Sequence, residues 1–129
     1  MALARFAMLA ATLPALASCT NMAADFESRT PDVVQIVRGD PDEVAGCMSL
    51  ALNREAIGLM GRIDPVRQQR FGKGYWRLLQ GEDSRLHAMT DIRDDAGAVR
   101  VTAWVLPQFS QDDLVGRISR IAIACGGKN

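Results

Sequence analysis

Chemistry in this chain would have to rest on three cysteines, one histidine and a few carboxylates. The cysteines are Cys19, Cys47 and Cys125, and the histidine is His87. No C-x-x-C pair is present, and two cysteines with one histidine fall short of a structural zinc set. His87 and Asp91 are four apart in a stretch that reads as a strand. That spacing puts their backbones roughly 13 Å apart, too far for a base and its orienting carboxylate. A triad would also need Ser84 or Ser119 delivered by the fold. No G-x-S-x-G, H-E-x-x-H, Walker or dinucleotide pattern occurs. Phe71-Gly72-Lys73-Gly74-Tyr75 lacks the Walker spacing and reads as a turn before a strand. Asp91, Asp94 and Asp95 read as a solvated hairpin tip, since calcium would want more oxygen ligands in an ordered loop. Trp76, Trp104 and Tyr75 would form a candidate partner patch if the tryptophans share a sheet face, because aromatics are enriched at binding hot spots. The competing reading is that they are core. Nothing here implies a metal, a catalytic residue or a dissociable cofactor.

The elements that must position these residues are legible in part. Val33-Val34-Gln35-Ile36-Val37 is a β-branched run after Pro31 and predicts a strand. Asp40 as N-cap, Pro41 at the first helical position and Glu43 in a capping-box-like place predict a helix start. Val44, Cys47, Met48 and Ala51 then recur at helical spacing. Residues 59–71 are ambiguous, with a strand around Val66 to Phe71 as one reading. Three alternating stretches follow, Lys73 to Gln80, Leu86 to Ile92 and Ala98 to Leu106, joined by turn-rich segments of hairpin length. In the second, Leu86, Ala88, Thr90 and Ile92 are expected on one face and His87, Met89 and Asp91 on the other. Pro107 closes the last strand, and Ser110-x-x-Asp113 resembles a helix cap. Leu114, Ile118, Ile121, Ala122 and Cys125 share a helix face, and Gly126-Gly127 stops it. The order predicts an α+β, two-layer sandwich: an antiparallel sheet of about 4–5 strands with two helices packed on one face and the other face open. This layout loosely resembles helix-grip and similar small α+β domains of envelope lipoproteins, in element order only.

Composition bounds the function class. Of 129 residues, 15 are Lys or Arg and 15 are Asp or Glu. Removing residues 1–18 takes away one basic residue, Arg5, and leaves 14 basic against 15 acidic. A chain so balanced lacks the basic excess of a nucleic-acid binder. With 48% hydrophobic and 23% charged residues it also falls outside the disordered class. One domain is expected at this length.

The N-terminal residues MALARFAMLAATLPALAS place one positive charge before an apolar run and small residues after it. That is the layout of an export signal, and the run is shorter than the ~20 residues of a membrane span. Ala15-Leu16-Ala17 fits ordinary signal peptidase cleavage. Leu16-Ala17-Ser18-Cys19 resembles the lipobox of bacterial lipoproteins at all four positions. The resemblance implies cleavage between Ser18 and Cys19 and a covalent diacylglycerol lipid on Cys19. In the enteric lipoproteins it resembles, Thr20 after the lipidated position implies the outer membrane. The inner-membrane periplasmic face and the soluble periplasm stay open as alternatives. Two or three acyl chains on one residue hold a protein stably where one chain holds marginally.

If Cys19 carries lipid, Cys47 and Cys125 remain, and an oxidising periplasm favours a bridge between them. Two buried free thiols are the alternative. The expected organisation is a signal peptide over 1–18, a lipidated N-terminus and tether over 19–30, and one α+β domain over 31–129; the alternative for the segment from Thr20 to about Thr30 is an early strand or a short helix that packs down. The expected function is that of a small, non-enzymatic lipoprotein of the cell envelope. It would be held to the membrane by its lipid, have an envelope protein as partner, bind no nucleic acid and act as a structural or interaction module at the periplasmic side of the outer membrane. The alternative is a periplasmic ligand-binding or enzymatic domain with a site assembled by the fold.

Overall fold

The computed structural model describes residues 22–57, 66–82, 85–106 and 112–127. The signal segment, Ser18, Cys19 and Ser110 lie outside the described residues. Within the described ones, the elements are α1 (Met22–Glu27), β1 (Val33–Val37), α2 (Pro41–Ile57), β2 (Arg67–Gly72), β3 (Tyr75–Glu82), β4 (Arg85–Asp95), β5 (Ala98–Val105) and α3 (Asp112–Cys125). The five strands form one antiparallel sheet in the order β1-β5-β4-β3-β2. The fold is an α+β sandwich, as the element order predicts.

Local chemistry explains the boundaries. Asp40 caps α2, its Oδ1 accepting the Asp42 N–H at 2.9 Å. Ala96 and Gly97 both have positive φ, 52° and 88°, as a two-residue hairpin between β4 and β5 requires. Gly126, just past α3, faces β1 so closely that a Cβ there would lie 2.9 Å from the Val37 Cβ. Only glycine allows α3 to end against that strand.

The main core lies between α2, α3 and one sheet face. Val44, Met48 and Leu52 of α2 and Ile118, Ile121 and Ala122 of α3 meet Val33, Val37, Leu78, Ala88, Ile92, Val99, Val101, Ala103 and Val105. The two helices pack on each other, and Cys47 and Cys125 stand at disulfide distance, with Cα atoms 5.7 Å apart. Cys47 is exposed and Cys125 half-buried, so the pair sits at the solvent side of the helix layer.

Two expectations are corrected here. The stretch 19–30 is not tether throughout: Met22–Glu27 is a helix, and Phe26 is 1% exposed. Phe26 fills a second, smaller core with Leu79, Leu86, Met89 and Trp104 on the opposite sheet face. Apolar residues on that face need a cover, and Phe26 supplies it, so the face is partly closed rather than open. Leu86 also leaves its expected face. A register irregularity at Gln80/Gly81 pairs Gly81 with Leu86 while Gln80 pairs with Ala88, and this turns Leu86 toward Met89 and Trp104.

Candidate functional site

Strand alternation puts Tyr75 and Arg77 of β3 on the face that α1 partly covers. The register then sets Arg77 directly opposite Asp91 and Tyr75 directly opposite Arg93. The result is a polar cluster beside the Phe26 core. Arg77 and Asp91 are 5% and 3% exposed. Arg77 Nε donates to Asp91 Oδ1 at 2.7 Å and Arg77 Nη2 to Asp91 Oδ2 at 3.1 Å, a two-pronged pair. Arg77 Nη2 also donates to Glu27 Oε1 on α1. Tyr75 donates its hydroxyl proton to Asp91 Oδ2 at 3.0 Å and accepts from Arg93 Nη2 at 2.6 Å.

Aromatic rings close the outer side. Phe71 stacks on Tyr75 with centroids 5.2 Å apart. The Arg77 guanidinium lies 4.8 Å from the Phe71 centroid and that of Arg93 3.9 Å from the Tyr75 centroid. Phe71 itself is 52% exposed and forms the rim.

The electrostatics favour fastening over catalysis. Two guanidiniums face two carboxylates. Burial lowers the Arg77 pKa, but its hydrogen bonds to Asp91 and Glu27 outweigh that, so it is raised and Arg77 stays charged. The Tyr75 hydroxyl is also raised, first by burial, then by the charge of Asp91 and the hydrogen bond to it, with Arg77 and Arg93 opposing. Tyr75 is therefore protonated at neutral pH and serves as a donor, not a base. What the arrangement does is tie α1 to β3 and β4.

A pH dependence follows. The Tyr75 pKa is higher folded than unfolded, so its contribution to stability is present below about 10 and is lost as pH rises through the folded value. Urea titrations are expected to show a midpoint that falls once the pH passes about 10. Tyr75→Phe should flatten that part of the curve; an identical fall in the variant would assign it to other groups.

The residues singled out from the sequence separate in space. Trp76 and Trp104 do not share a face. Trp76 pairs with Ile92 on the helix-covered side, where its indole N–H donates to Asp42 Oδ1 at 2.6 Å and Arg70 lies over its ring. Trp104 pairs with Met89 on the other side, is 7% exposed, and donates its indole N–H to the Arg29 carbonyl at 2.9 Å. The patch of Trp76, Trp104 and Tyr75 is thus corrected: one tryptophan braces α2, the other is core, and Tyr75 belongs to the arginine cluster. The acidic tip also divides. Asp91 is buried with Arg77, Asp95 pairs with Arg100 at 3.0 Å, and Asp94 lies on the other face, opposite Val99. Ser119 accepts from Gln35 Nε2 at 2.7 Å. Among the described residues, no group of His, Cys, Asp and Glu is arranged to hold a metal, and no helix is long and apolar enough to cross a membrane.

The sequence reading missed the Glu27–Tyr75–Arg77–Asp91–Arg93 cluster. Its one visible signal is an arginine inside an alternating strand, on the same side as Tyr75. The chain matches no protein-family model, no curated protein and no solved structure.

Proposed function

We propose that this chain is a small lipid-anchored lipoprotein of the bacterial cell envelope, a non-enzymatic structural or interaction module held by Cys19 at the periplasmic side of the outer membrane. The observation that carries the reading is the four-residue match Leu16-Ala17-Ser18-Cys19. Two features support it. Cys47 and Cys125 stand at disulfide distance and account for each other, which leaves Cys19 as the odd thiol. In addition, α1 starts at Met22 and is fastened to the sheet through Phe26 and Glu27. Thr20 and Asn21 alone separate it from Cys19, a reach of about 10 Å at full extension. The module would therefore rest close against the bilayer rather than range over it.

The test is intact mass, without reductant, on protein from the membrane fraction of the native host. The expected mass is that of residues 19–129 plus acyl groups, minus two hydrogens. Cys19→Ala should leave the membrane pellet. Unlipidated protein starting at Ser18 would mean ordinary secretion and would overturn the anchor.

A further inference from the structure

We infer that the open half of the α1-side sheet face is the surface this protein lays on its membrane. Phospholipid phosphates accept from Arg93 and Arg100 there, while Val34, Ile36 and Phe71 enter the headgroup boundary. The inference deepens the reading of Cys19 as lipidated and rests on it. Phe26 covers only one end of that face, over Leu79, Leu86, Met89 and Trp104. Further along the strands, the register lays Ile36, Arg100, Arg93 and Tyr75 directly opposite one another in a single row. Phe71 stacks on Tyr75 and ends that row on the β2 side, and Val34 stands on the same face, opposite Thr102. Val34, Ile36 and Phe71 are 51%, 53% and 52% exposed, and the side chains of Arg93 and Arg100 are exposed as well. The two other large apolar residues most exposed among the described ones, Leu50 and Ile123, belong to α2 and α3, across the sheet.

The occupant is set by where the anchored chain enters the domain. Met22 opens α1 three residues after Cys19, and α1 packs on this side of the sheet. Lipid on Cys19 therefore enters the bilayer on this side, while α2 and α3 pack on the other. The side chains suit that boundary. Branched and aromatic groups leave water there, and each arginine keeps its charge among the headgroups. The guanidiniums also have donors to give. Arg100 spends Nε on Asp95, and Arg93 spends Nη2 on Tyr75 and Asp91. Their remaining N–H groups meet no acceptor among the described residues, and phosphate oxygens match guanidinium geometry. Asp91 and Asp95 are each held by an arginine, so neither stands alone against a phosphate.

The test is spin labelling of the full chain expressed in its native host, extracted in detergent without reductant and returned to vesicles of phosphatidylethanolamine and phosphatidylglycerol. Ile36→Cys and Phe71→Cys report the proposed surface, and Leu50→Cys and Ile123→Cys report the helix layer. Each label's collision rate with dissolved oxygen is compared with that for a water-soluble nickel chelate. Labels at 36 and 71 are expected to favour oxygen, as in lipid, and labels at 50 and 123 the chelate, as in water. Val34→Asp/Phe71→Asp should return the label at 36 to the aqueous pattern, while the protein stays with the vesicles through its lipid and keeps its circular dichroism. Intact mass of the same samples reads acylation of Cys19 separately. Acylated protein with the labels at 36 and 71 in water, with those at 50 and 123 in lipid, or with a label at 36 indifferent to the double aspartate variant would overturn the surface and leave the anchor standing. Protein without acyl groups would overturn both.

Discussion

Replacing Asp91 by alanine is expected to lower stability by about 3–5 kcal/mol, the cost of leaving a buried guanidinium without its carboxylate. Arg77 is 5% exposed and directs two of its donors at Asp91, so water has little access to make up the loss. Glu27 cannot substitute, because its side chain is 48% exposed and it comes from α1, which the same change would loosen. Against a total of ~5–15 kcal/mol for a domain of this kind, the loss brings the protein near its unfolding limit. Equilibrium urea unfolding measures it. The control is the double replacement Arg77→Met/Asp91→Leu, which removes both charges together and should recover most of the stability. If Asp91→Ala instead costs under about 1 kcal/mol, the pair is solvated and does not organise this face. A cost that the double replacement fails to recover would mean that the Glu27 and Tyr75 bonds to the pair matter more than its charge balance.

The second large effect is reduction of the Cys47–Cys125 pair. The two positions are 78 residues apart. The chain-entropy estimate for so long a loop is about 4–5 kcal/mol, an upper figure because the reduced, unfolded chain retains some structure. For a domain of about 100 residues that corresponds to a drop in Tm on the order of 15 °C or more. Cys47 is exposed, so a soluble reductant should reach the pair without prior unfolding. Calorimetry with and without reductant checks the expectation, and Cys47→Ser/Cys125→Ser should melt with the reduced wild type. Coincident melts of oxidised and reduced protein would show that α2 and α3 are held by packing alone.

The helix-covered half of the fold could be read from the chain because each local signal agreed with the rest. The cap at Asp40, the spacing of Val44 and Met48 and the alternation of Val99, Val101, Ala103 and Val105 all point into one core, and Cys47 and Cys125 lie at disulfide distance on the two adjacent helices. The other face was harder to read. α1 is only Met22–Glu27, too short for a helical period to declare itself, and its packing rests largely on one side chain, Phe26. Trp76 and Trp104 lie on different strands, so whether they share a face depends on register, which alternation within each strand does not fix. The displacement of Leu86 comes from one irregular step at Gln80/Gly81, with no glycine-rich or proline signal beyond Gly81 itself. The arginine cluster draws on four separate stretches of chain, Glu27, Phe71, Tyr75 to Arg77, and Asp91 to Arg93. No local pattern can announce a constellation of that kind.

The seat of α1 also has a mechanical meaning. A pull on the chain from its N-terminal side acts first on α1, and α1 is secured by one buried ring, Phe26, and one ion pair, Glu27 with Arg77. The chain beyond it is secured again where Trp104 holds the Arg29 carbonyl and Asp32 accepts the Val105 N–H at 2.7 Å. Tension would therefore be borne in sequence. α1 would peel away first, exposing Leu79, Met89 and Trp104, before the load reached β1. The molecule has a yielding element ahead of its sheet on the path of such a load.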